Sequence, residues 1–187
     1  MEREYDVVVI GTGVVGSDIA WHCGDAGMRV AITDRQEYGG TCALRGCVPK
    51  KVLIGAAEVV ARVHDQQGRG IRGDVSIDWP RLVAFERTFT DPIPRRKEEN
   101  FRKVGVDTYY GPARFAGPDR VVIGDDTLTA RHIVIATGAH PRPLGVPGAD
   151  LVTPSDDFFY LETLPDRIVF IGGGYISFEF AHVAARA

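Results

Sequence analysis

The chain has 187 residues, a formal net charge of −3 and a hydrophobic content of 44%. This length suits one globular domain with a core, or one domain and part of another. The charge excludes a strongly basic nucleic-acid binder, and no apolar run approaches the roughly 20 residues that a membrane span needs. A charged N-terminus and only three cysteines predict a cytoplasmic protein without a disulfide scaffold.

The first predicted elements form a β-α-β unit. Residues 7–10 are all apolar and β-branched, which is typical of a strand buried on both faces of a parallel sheet. A glycine-rich turn follows at once, then a helical stretch over residues 17–23. A second apolar strand over residues 29–33 ends at Asp34. The whole unit has about the usual length of ~30 residues.

The glycines of this turn have the spacing G-x-G-x-x-G. Gly11 would make the tight turn, Gly13 would let the backbone approach a pyrophosphate, and Gly16 would let the helix pack closely on the strand. The helix N-terminus would offer unpaired N–H groups to the phosphates. Asp34, 18 positions beyond Gly16, could accept both ribose hydroxyl protons of an adenosine. The pattern predicts a dinucleotide site but does not distinguish FAD from NAD.

The middle of the chain is predicted to alternate helices and short strands. Helices are expected over residues 49–64 and 78–103, the second interrupted around Pro92 and Pro94. Residues 132–136 are predicted to form a buried strand. Short strands of a meander are predicted over residues 107–110, 113–115, 120–123 and 127–130.

A second strand–glycine–helix pattern follows a proline-rich boundary at Pro141, Pro143 and Pro147. Residues 167–171 are predicted to form a new buried strand, and a helix is expected to run to Ala187. The glycines between them have G-x-G-x-x-small spacing, with Gly172, Gly174 and Ser177 at the defining positions. We therefore expect a second dinucleotide site here.

Cys42 and Cys47 lie five residues apart in a glycine-bounded segment. Zinc is disfavoured because there is no second cysteine pair and the histidines are scattered. In a regular helix the two Cα atoms would be roughly 8–9 Å apart, whereas a disulfide needs about 4.4–6.8 Å. The pair can therefore bridge only if the segment departs from a regular helix, and Gly46 supplies that freedom.

The residues after Cys47 predict a reactive thiol. Pro49 suits the first turn of a helix, which would place Cys47 at or just before its N-terminus. The helix dipole and either Lys50 or Lys51 would stabilise the Cys47 thiolate. The pair is thus predicted to be a reversible dithiol, whereas Cys23 is expected to be part of the core. Two dinucleotide sites and a dithiol indicate electron flow from a nicotinamide through a flavin to a disulfide.

These motifs resemble the N-terminal part of the flavin-dependent pyridine nucleotide–disulfide oxidoreductases. The resemblance covers essentially the whole chain and is most specific over residues 39–51. It implies an α/β fold, with a Rossmann-like FAD-binding domain over residues 1–147 that contains a parallel sheet, helices and a small β-meander. Residues 148–187 would begin a second Rossmann-like domain, which binds NAD(P).

The resemblance also implies roles for individual residues. Cys47 would lie next to the flavin, and Cys42 would attack the substrate disulfide. Lys50, for which Lys51 is the rival, and Glu179 would form an ion pair near the flavin, and Tyr175 would cover the flavin until nicotinamide enters. The implied FAD contacts are Gly11, Gly13, Val14, Gly16, Asp34, Gly40, Thr41, Cys42, Lys50, Ala113, Ala136, Thr137 and Gly138. The implied NAD(P) contacts are Gly172, Gly174, Tyr175, Ile176, Ser177 and Glu179.

The implied function is an NAD(P)H-dependent disulfide oxidoreductase of the cytoplasm, active as a homodimer in redox homeostasis. Residues 49–51 look most like the glutathione-reductase branch, but Val14 and Trp21 depart from it. A reductase of a metal ion or quinone, and a non-catalytic nucleotide-binding fragment, are the alternatives. The family's remaining nicotinamide, return and dimerisation segments lie outside these 187 residues, so the chain by itself is expected to be inactive.

Overall fold

A computed structural model describes residues 1–187, which divide into two units. The first unit contains a six-stranded sheet. This unit comprises Met1–Leu44 and Asp91–Pro141. The strand order is β3-β2-β1-β6-β5-β4, in which β1, β2, β3 and β6 are parallel and β4 and β5 pair antiparallel. The strands are β1 Glu2–Ile10, β2 Val30–Asp34, β3 Val106–Tyr110, β4 Ala113–Phe115, β5 Arg120–Ile123 and β6 Asp126–Ile135.

Six α-helices accompany the sheet along the chain. They are α1 Val14–Asp25, α2 Gly40–Leu44, α3 Cys47–Gln66, α4 Trp79–Thr90, α5 Ile93–Lys103 and α6 Tyr175–Ala184. The predicted helices over residues 17–23, 49–64 and 78–103 are confirmed. The last is interrupted as expected, because α4 ends at Thr90 and α5 begins at Ile93. No helix is both long enough and apolar enough to cross a lipid bilayer.

The apolar run of β1 is buried because both faces of the sheet are covered. Val7 and Val9 pack with Ile32 of β2 and Phe101 of α5 on one face. Val8 lies in a separate cluster that includes residues of β5 and β6. Successive side chains of a strand point to opposite faces, so a strand with a core on each side must be apolar at consecutive positions. The predicted β-α-β unit is therefore confirmed, although β1 begins earlier than expected.

The predicted meander is only partly right. β3 pairs in parallel with β2, with Val30 opposite Val106, and so lies at the edge of the sheet away from β4. Residues 127–130 and 132–136 are predicted to be separate strands, but a single strand, β6, runs through both segments as far as Ile135 and pairs with β1 from Thr127 to Ile135. Short apolar segments do not encode which neighbour they pair with. The long β1 supplies enough partner backbone to keep β6 continuous.

The second unit comprises Arg45–Thr90 and Arg142–Ala187 and is built from helices. Its core joins side chains of α3, α4 and α6 to those of a 3-10 helix, Ser155–Tyr160. Phe158 of this 3-10 helix stacks on Phe180 of α6 with ring centroids 4.2 Å apart. Trp79 lies edge-on to Phe158, and its indole N–H donates a 2.8 Å hydrogen bond to the Leu161 carbonyl. Aromatic packing therefore holds this unit together.

The strand predicted over residues 167–171 is wrong. The segment has no strand structure, and Val169 and Ile171 are 88% and 58% exposed. A strand requires a neighbour to accept and donate its backbone hydrogen bonds, and no strand pairs with this segment. Likewise, residues 132–136 are less buried than predicted, because Ile135 is 67% exposed.

Candidate active site

Thr12 and Asp34 join the glycine-rich loop after β1 to the end of β2. The Thr12 backbone N–H and hydroxyl both donate to Asp34 Oδ2, at 2.8 and 2.7 Å. Asp34 Oδ1 accepts from the Gln36 N–H at 3.0 Å. A carboxylate has about four acceptor directions, so Asp34 retains about one, on Oδ1, for a ligand hydroxyl. The carboxylate faces the loop, as the sequence hypothesis requires.

The loop glycines permit close backbone packing. Gly11 has a φ of +112°, and a Cβ there would lie 2.2 Å from the Ala136 carbonyl oxygen. A Cβ on Gly16 would lie 1.9 Å from the Gly11 carbonyl oxygen and 3.3 Å from the Ala136 Cβ. Neither position can hold a side chain without moving backbone. The predicted tight turn at Gly11 and close helix–strand packing at Gly16 are therefore present.

Gly13 differs from the other two glycines. It is the N-cap of α1, and a Cβ there would meet nothing within 4 Å. The first turn of a helix has N–H groups without intrahelical partners, and Val14 and Val15 of this turn are 65% and 63% exposed. Open space beside unpaired N–H groups fits the phosphates of a dinucleotide such as FAD.

Gly40 brings a second backbone segment to this loop. It has a φ of +69°, and a Cβ there would lie 2.5 Å from the Gly13 Cα. Gly39 donates its N–H to the Thr12 hydroxyl oxygen at 3.2 Å. The start of α2 therefore lies against the glycine-rich loop, with Thr41 exposed beside it.

The other predicted FAD contacts follow β3 and β6. Ala136 continues β6 through a hydrogen bond from its N–H to the Ile10 carbonyl. Thr137 and Gly138 are exposed and lie beyond the end of that strand. Ala113 opens β4 and pairs with Ile123. Ala136 thus contacts Gly11 and Gly16, whereas Ala113 lies on an edge strand of the sheet.

The two predicted redox cysteines lie on different helices. Cys42 is half-buried in α2, and Cys47 is exposed at the first residue of α3. Gly46 between them has φ −148° and ψ −110°, which is far from helical. The expected departure from a regular helix is confirmed, and so is the position of Cys47 at a helix N-terminus. No disulfide is present among the three cysteines.

Lys50 and Glu179 form a close ion pair in the second unit. Lys50 Nζ lies 2.6 Å from Glu179 Oε2, and the two side chains are 15% and 34% exposed. The ammonium also lies 4.8 Å from the centre of the Tyr175 ring, within cation–π range. Lys51, the rival in sequence, is exposed. Lys50 is therefore the lysine that pairs with Glu179.

The second glycine-rich loop is open. Cβ atoms on Gly173 and Gly174 would meet nothing within 4 Å, and one on Gly172 would meet only the Ser177 hydroxyl at 3.8 Å. Gly174 caps α6, whose first residues Tyr175 and Ile176 are 70% and 37% exposed. Tyr175 and Glu179 thus meet Lys50, whereas the loop glycines contact no neighbouring strand.

Thr12 and Arg45 were not among the residues predicted for the site. Thr12 is fully buried, and its hydroxyl donates to Asp34 Oδ2 and accepts from the Gly39 N–H. Thr12 could have been identified from the sequence, because a hydroxyl residue at the second position of the loop can bond to the acid expected at the end of β2. Arg45 has its Nε 4.0 Å from Asp156 Oδ2, and only the folded chain brings these distant residues together.

Comparison with known proteins identifies the family of this chain. The family model described as pyridine nucleotide-disulphide oxidoreductase matches residues 5–187. The chain belongs to this family. It is 38% identical to a glutathione reductase from Burkholderia cepacia over 96% of its length, and 37% identical to a dihydrolipoyl dehydrogenase from Chlamydia pneumoniae over 97%. A trypanothione reductase from Trypanosoma congolense is 31% identical over 98% of the chain.

The chain spans about 40% of the length of the first two relatives and 42% of the third. The resemblance inferred from the motifs is therefore confirmed at the level of the family. The mixed α/β fold with a six-stranded sheet is consistent with the Rossmann-like domain of this pyridine nucleotide-disulphide oxidoreductase family.

Proposed function

We propose that the protein is a flavoprotein that passes electrons from NADPH or NADH through FAD to the Cys42–Cys47 pair and on to a small-molecule or peptide disulfide. The observation that carries the proposal is the exposed Cys47 at the first residue of α3, after a non-helical Gly46. A thiol in this position is accessible, and it lies in the first turn of a helix, where the backbone N–H groups have no intrahelical partners. The protein would act in the cytoplasm as a homodimer.

The residues near β1 and β2 would hold FAD. The first turn of α1 would bind the pyrophosphate, and Asp34 would accept a ribose hydroxyl proton through Oδ1. Bound FAD would supply a carrier that accepts two electrons from a nicotinamide and donates them to a disulfide. In this assignment the FAD-binding domain covers residues 1–147, and the NAD(P)-binding domain begins at residue 148.

The Lys50–Glu179 pair would supply a fixed cation, and Cys42 would supply the nucleophile. Glu179 holds the Lys50 ammonium at 2.6 Å, which would keep positive charge in place where negative charge develops on reduction. Cys42 would attack the substrate disulfide, and Cys47 would then close the Cys42–Cys47 disulfide. This overall reaction moves two electrons and two protons to the substrate, which leaves as two thiols.

The substrate class is tested with the reduced 187-residue chain and oxidised glutathione. We expect one Cys42–Cys47 disulfide and two glutathione thiols per chain, measured by mass spectrometry and thiol titration. Cys42→Ser and Cys47→Ser should each abolish the internal disulfide, whereas Cys23→Ser is the matched control that should retain it. A pair that stays reduced would contradict the dithiol assignment.

The flavin assignment is tested by adding FAD to the same chain. We expect the flavin to bind and, after reduction of the dithiol, to show long-wavelength absorbance from an adjacent thiolate. Cys42→Ser should keep this absorbance and Cys47→Ser should lose it, because only Cys47 is assigned to the position next to the flavin. Equal spectra for the two variants would contradict the roles given to the cysteines.

A further inference from the structure

A second ion pair lies just before Cys47. Arg45 precedes Cys47 by two residues, and its Nε lies 4.0 Å from Asp156 Oδ2. The Arg45 side chain is 13% exposed and that of Asp156 is 32% exposed. Partly buried charges are screened by salt less than exposed ones, so this pair differs from the exposed ion pairs of the chain.

Asp156 belongs to an element that is packed firmly in the core. It lies in the 3-10 helix Ser155–Tyr160, in which Phe158 and Phe159 are 6% and 4% exposed. Phe158 stacks on Phe180 of α6, with ring planes 10° apart. A carboxylate on such an element gives Arg45 a fixed partner.

The same core carries the partner of Lys50. Glu179 directly precedes Phe180 in α6, and it holds Lys50 at 2.6 Å. In the sequence, Cys47 therefore lies between two cations, Arg45 and Lys50. Their acidic partners lie on elements that are joined through the Phe158–Phe180 stack. The two ion pairs and the Phe158–Phe180 stack therefore connect the residues on either side of Cys47, at the N-terminus of α3.

These contacts restrain the backbone at Gly46. Gly46 lies between Arg45 and Cys47 and has φ −148° and ψ −110°, and glycine loses more conformational freedom on ordering than any other residue. If only α3 were held, through Lys50, the backbone at Gly46 could still change its conformation. The Arg45–Asp156 pair holds the chain on the other side of Gly46.

We infer that the Arg45–Asp156 ion pair positions Cys47. The pair restrains the backbone at Gly46 and thereby keeps the Cys47 thiol in one place. The inference rests on the proposed dithiol function. A positioned thiol has a higher effective concentration toward its partner than a mobile one. Loss of the pair should therefore make the Cys42–Cys47 disulfide easier to reduce.

The test measures the equilibrium between the dithiol and glutathione in the 187-residue chain with Cys23→Ser. Two protein thiols and one oxidised glutathione give one protein disulfide and two glutathione thiols, so the ratio at equilibrium reports the effective concentration of the pair. Arg45→Ala and Asp156→Ala should each lower it by about tenfold. The double charge reversal, Arg45→Asp with Asp156→Arg, should restore most of the loss.

Arg62→Ala is the matched control, because Arg62 pairs with Glu58 on α3 while its side chain is 80% exposed. This variant should leave the equilibrium unchanged. Unchanged equilibria for Arg45→Ala and Asp156→Ala, with a wild-type pair that oxidises normally, would overturn the positioning role and leave the proposed function intact.

Amide hydrogen exchange at residues 46–48 of the reduced chain gives a readout that needs no disulfide. Arg45→Ala and Asp156→Ala should speed this exchange by about tenfold relative to Arg62→Ala, without a similar change in α4. If the wild-type pair never oxidises, the dithiol function fails, and unchanged exchange would independently overturn the positioning pair.

Discussion

The two glycine-rich loops have nearly the same sequence spacing but different surroundings. In the first loop, Cβ atoms on Gly11 and Gly16 would lie 2.2 and 1.9 Å from backbone oxygens. In the second, Cβ atoms on Gly173 and Gly174 would meet nothing within 4 Å. The first loop follows a strand that is paired on both sides, whereas the second follows an exposed segment without strand structure.

This difference shows what makes glycine necessary in such a loop. A paired strand brings a neighbouring backbone against the turn, so that a side chain has no room. Without the neighbour, the same spacing leaves the glycines sterically free. What holds the second loop is the helix that follows it, through the Phe158–Phe180 stack and the Lys50–Glu179 pair.

The largest effect is expected for Gly16→Ala. Its Cβ would meet the Gly11 carbonyl oxygen, and backbone cannot yield as a side chain can, so the first unit should lose about 4 kcal/mol or more. Hydrogen exchange of peptides from β1 in a urea series measures this loss. Gly173→Ala is the matched control in the second loop and should change stability by less than about 0.5 kcal/mol.

Equal losses for Gly16→Ala and Gly173→Ala would contradict this difference between the loops, because they would mean that the second loop is as tightly packed as the first.

Phe180→Ala should give the next largest loss, in the second unit. Phe180 is 4% exposed and stacks on Phe158, so truncation leaves a cavity and should cost about 3–4 kcal/mol. Trp79 fluorescence during urea unfolding, in a Trp21→Phe background, reports on this unit. Phe178→Ala on the same helix is the control, because Phe178 is 70% exposed. Similar midpoints for the two variants would contradict the aromatic core.

Gly13→Ala should separate binding from stability. A Cβ on Gly13 meets nothing within 4 Å, so the melting temperature should stay within about 1–2 °C of wild type. The added methyl would stand where the pyrophosphate is expected, and FAD affinity should fall about tenfold or more. Flavin fluorescence titration measures this. Unchanged affinity would place the phosphates elsewhere.

Alkaline pH should destabilise the first unit before the second. Burial raises the pKa of Tyr5 and of Tyr38 well above the usual range for tyrosine. Above about pH 10 the unfolded phenols lose protons that the folded ones keep, so stability is fully present below that pH and falls as pH rises, by up to about 1.4 kcal/mol per pH unit for each group.

Tyr5 and Tyr38 both belong to the first unit. Hydrogen exchange in each unit between pH 9 and pH 11 measures the difference, after correction for the intrinsic rate. Tyr5→Phe should reduce the slope for the first unit, and a slope equal in both units would contradict this origin.

Much of the first unit could be predicted because its signals are local. Four consecutive β-branched residues, three spaced glycines and a terminal acid specify a strand, a turn, a helix and a second strand within the first 34 residues. The helix beginning near Cys47 could be predicted from Pro49 for the same reason. These features depend on backbone preferences and on the period of the apolar residues, both of which the sequence displays directly.

The errors in the predicted strands concern which strands pair with each other. Residues 107–110 are predicted to be part of the meander, but they belong to β3, which pairs with β2. Residues 167–171 have the apolar pattern of a buried strand and have no strand beside them. Strand pairing joins residues far apart in the chain, and several pairings satisfy the same pattern.

From its residues alone we could infer the family, the glycine and acid positions of the dinucleotide loop, and the break between Cys42 and Cys47. The folded chain was needed to show that Lys50 rather than Lys51 pairs with Glu179, that Thr12 occupies Asp34 Oδ2, and that Arg45 lies beside Asp156. The physical reason is that the first set depends on which conformations a short segment can adopt. The second depends on which distant side chains the packed helices and strands bring within a few ångströms, and no local pattern encodes that distance.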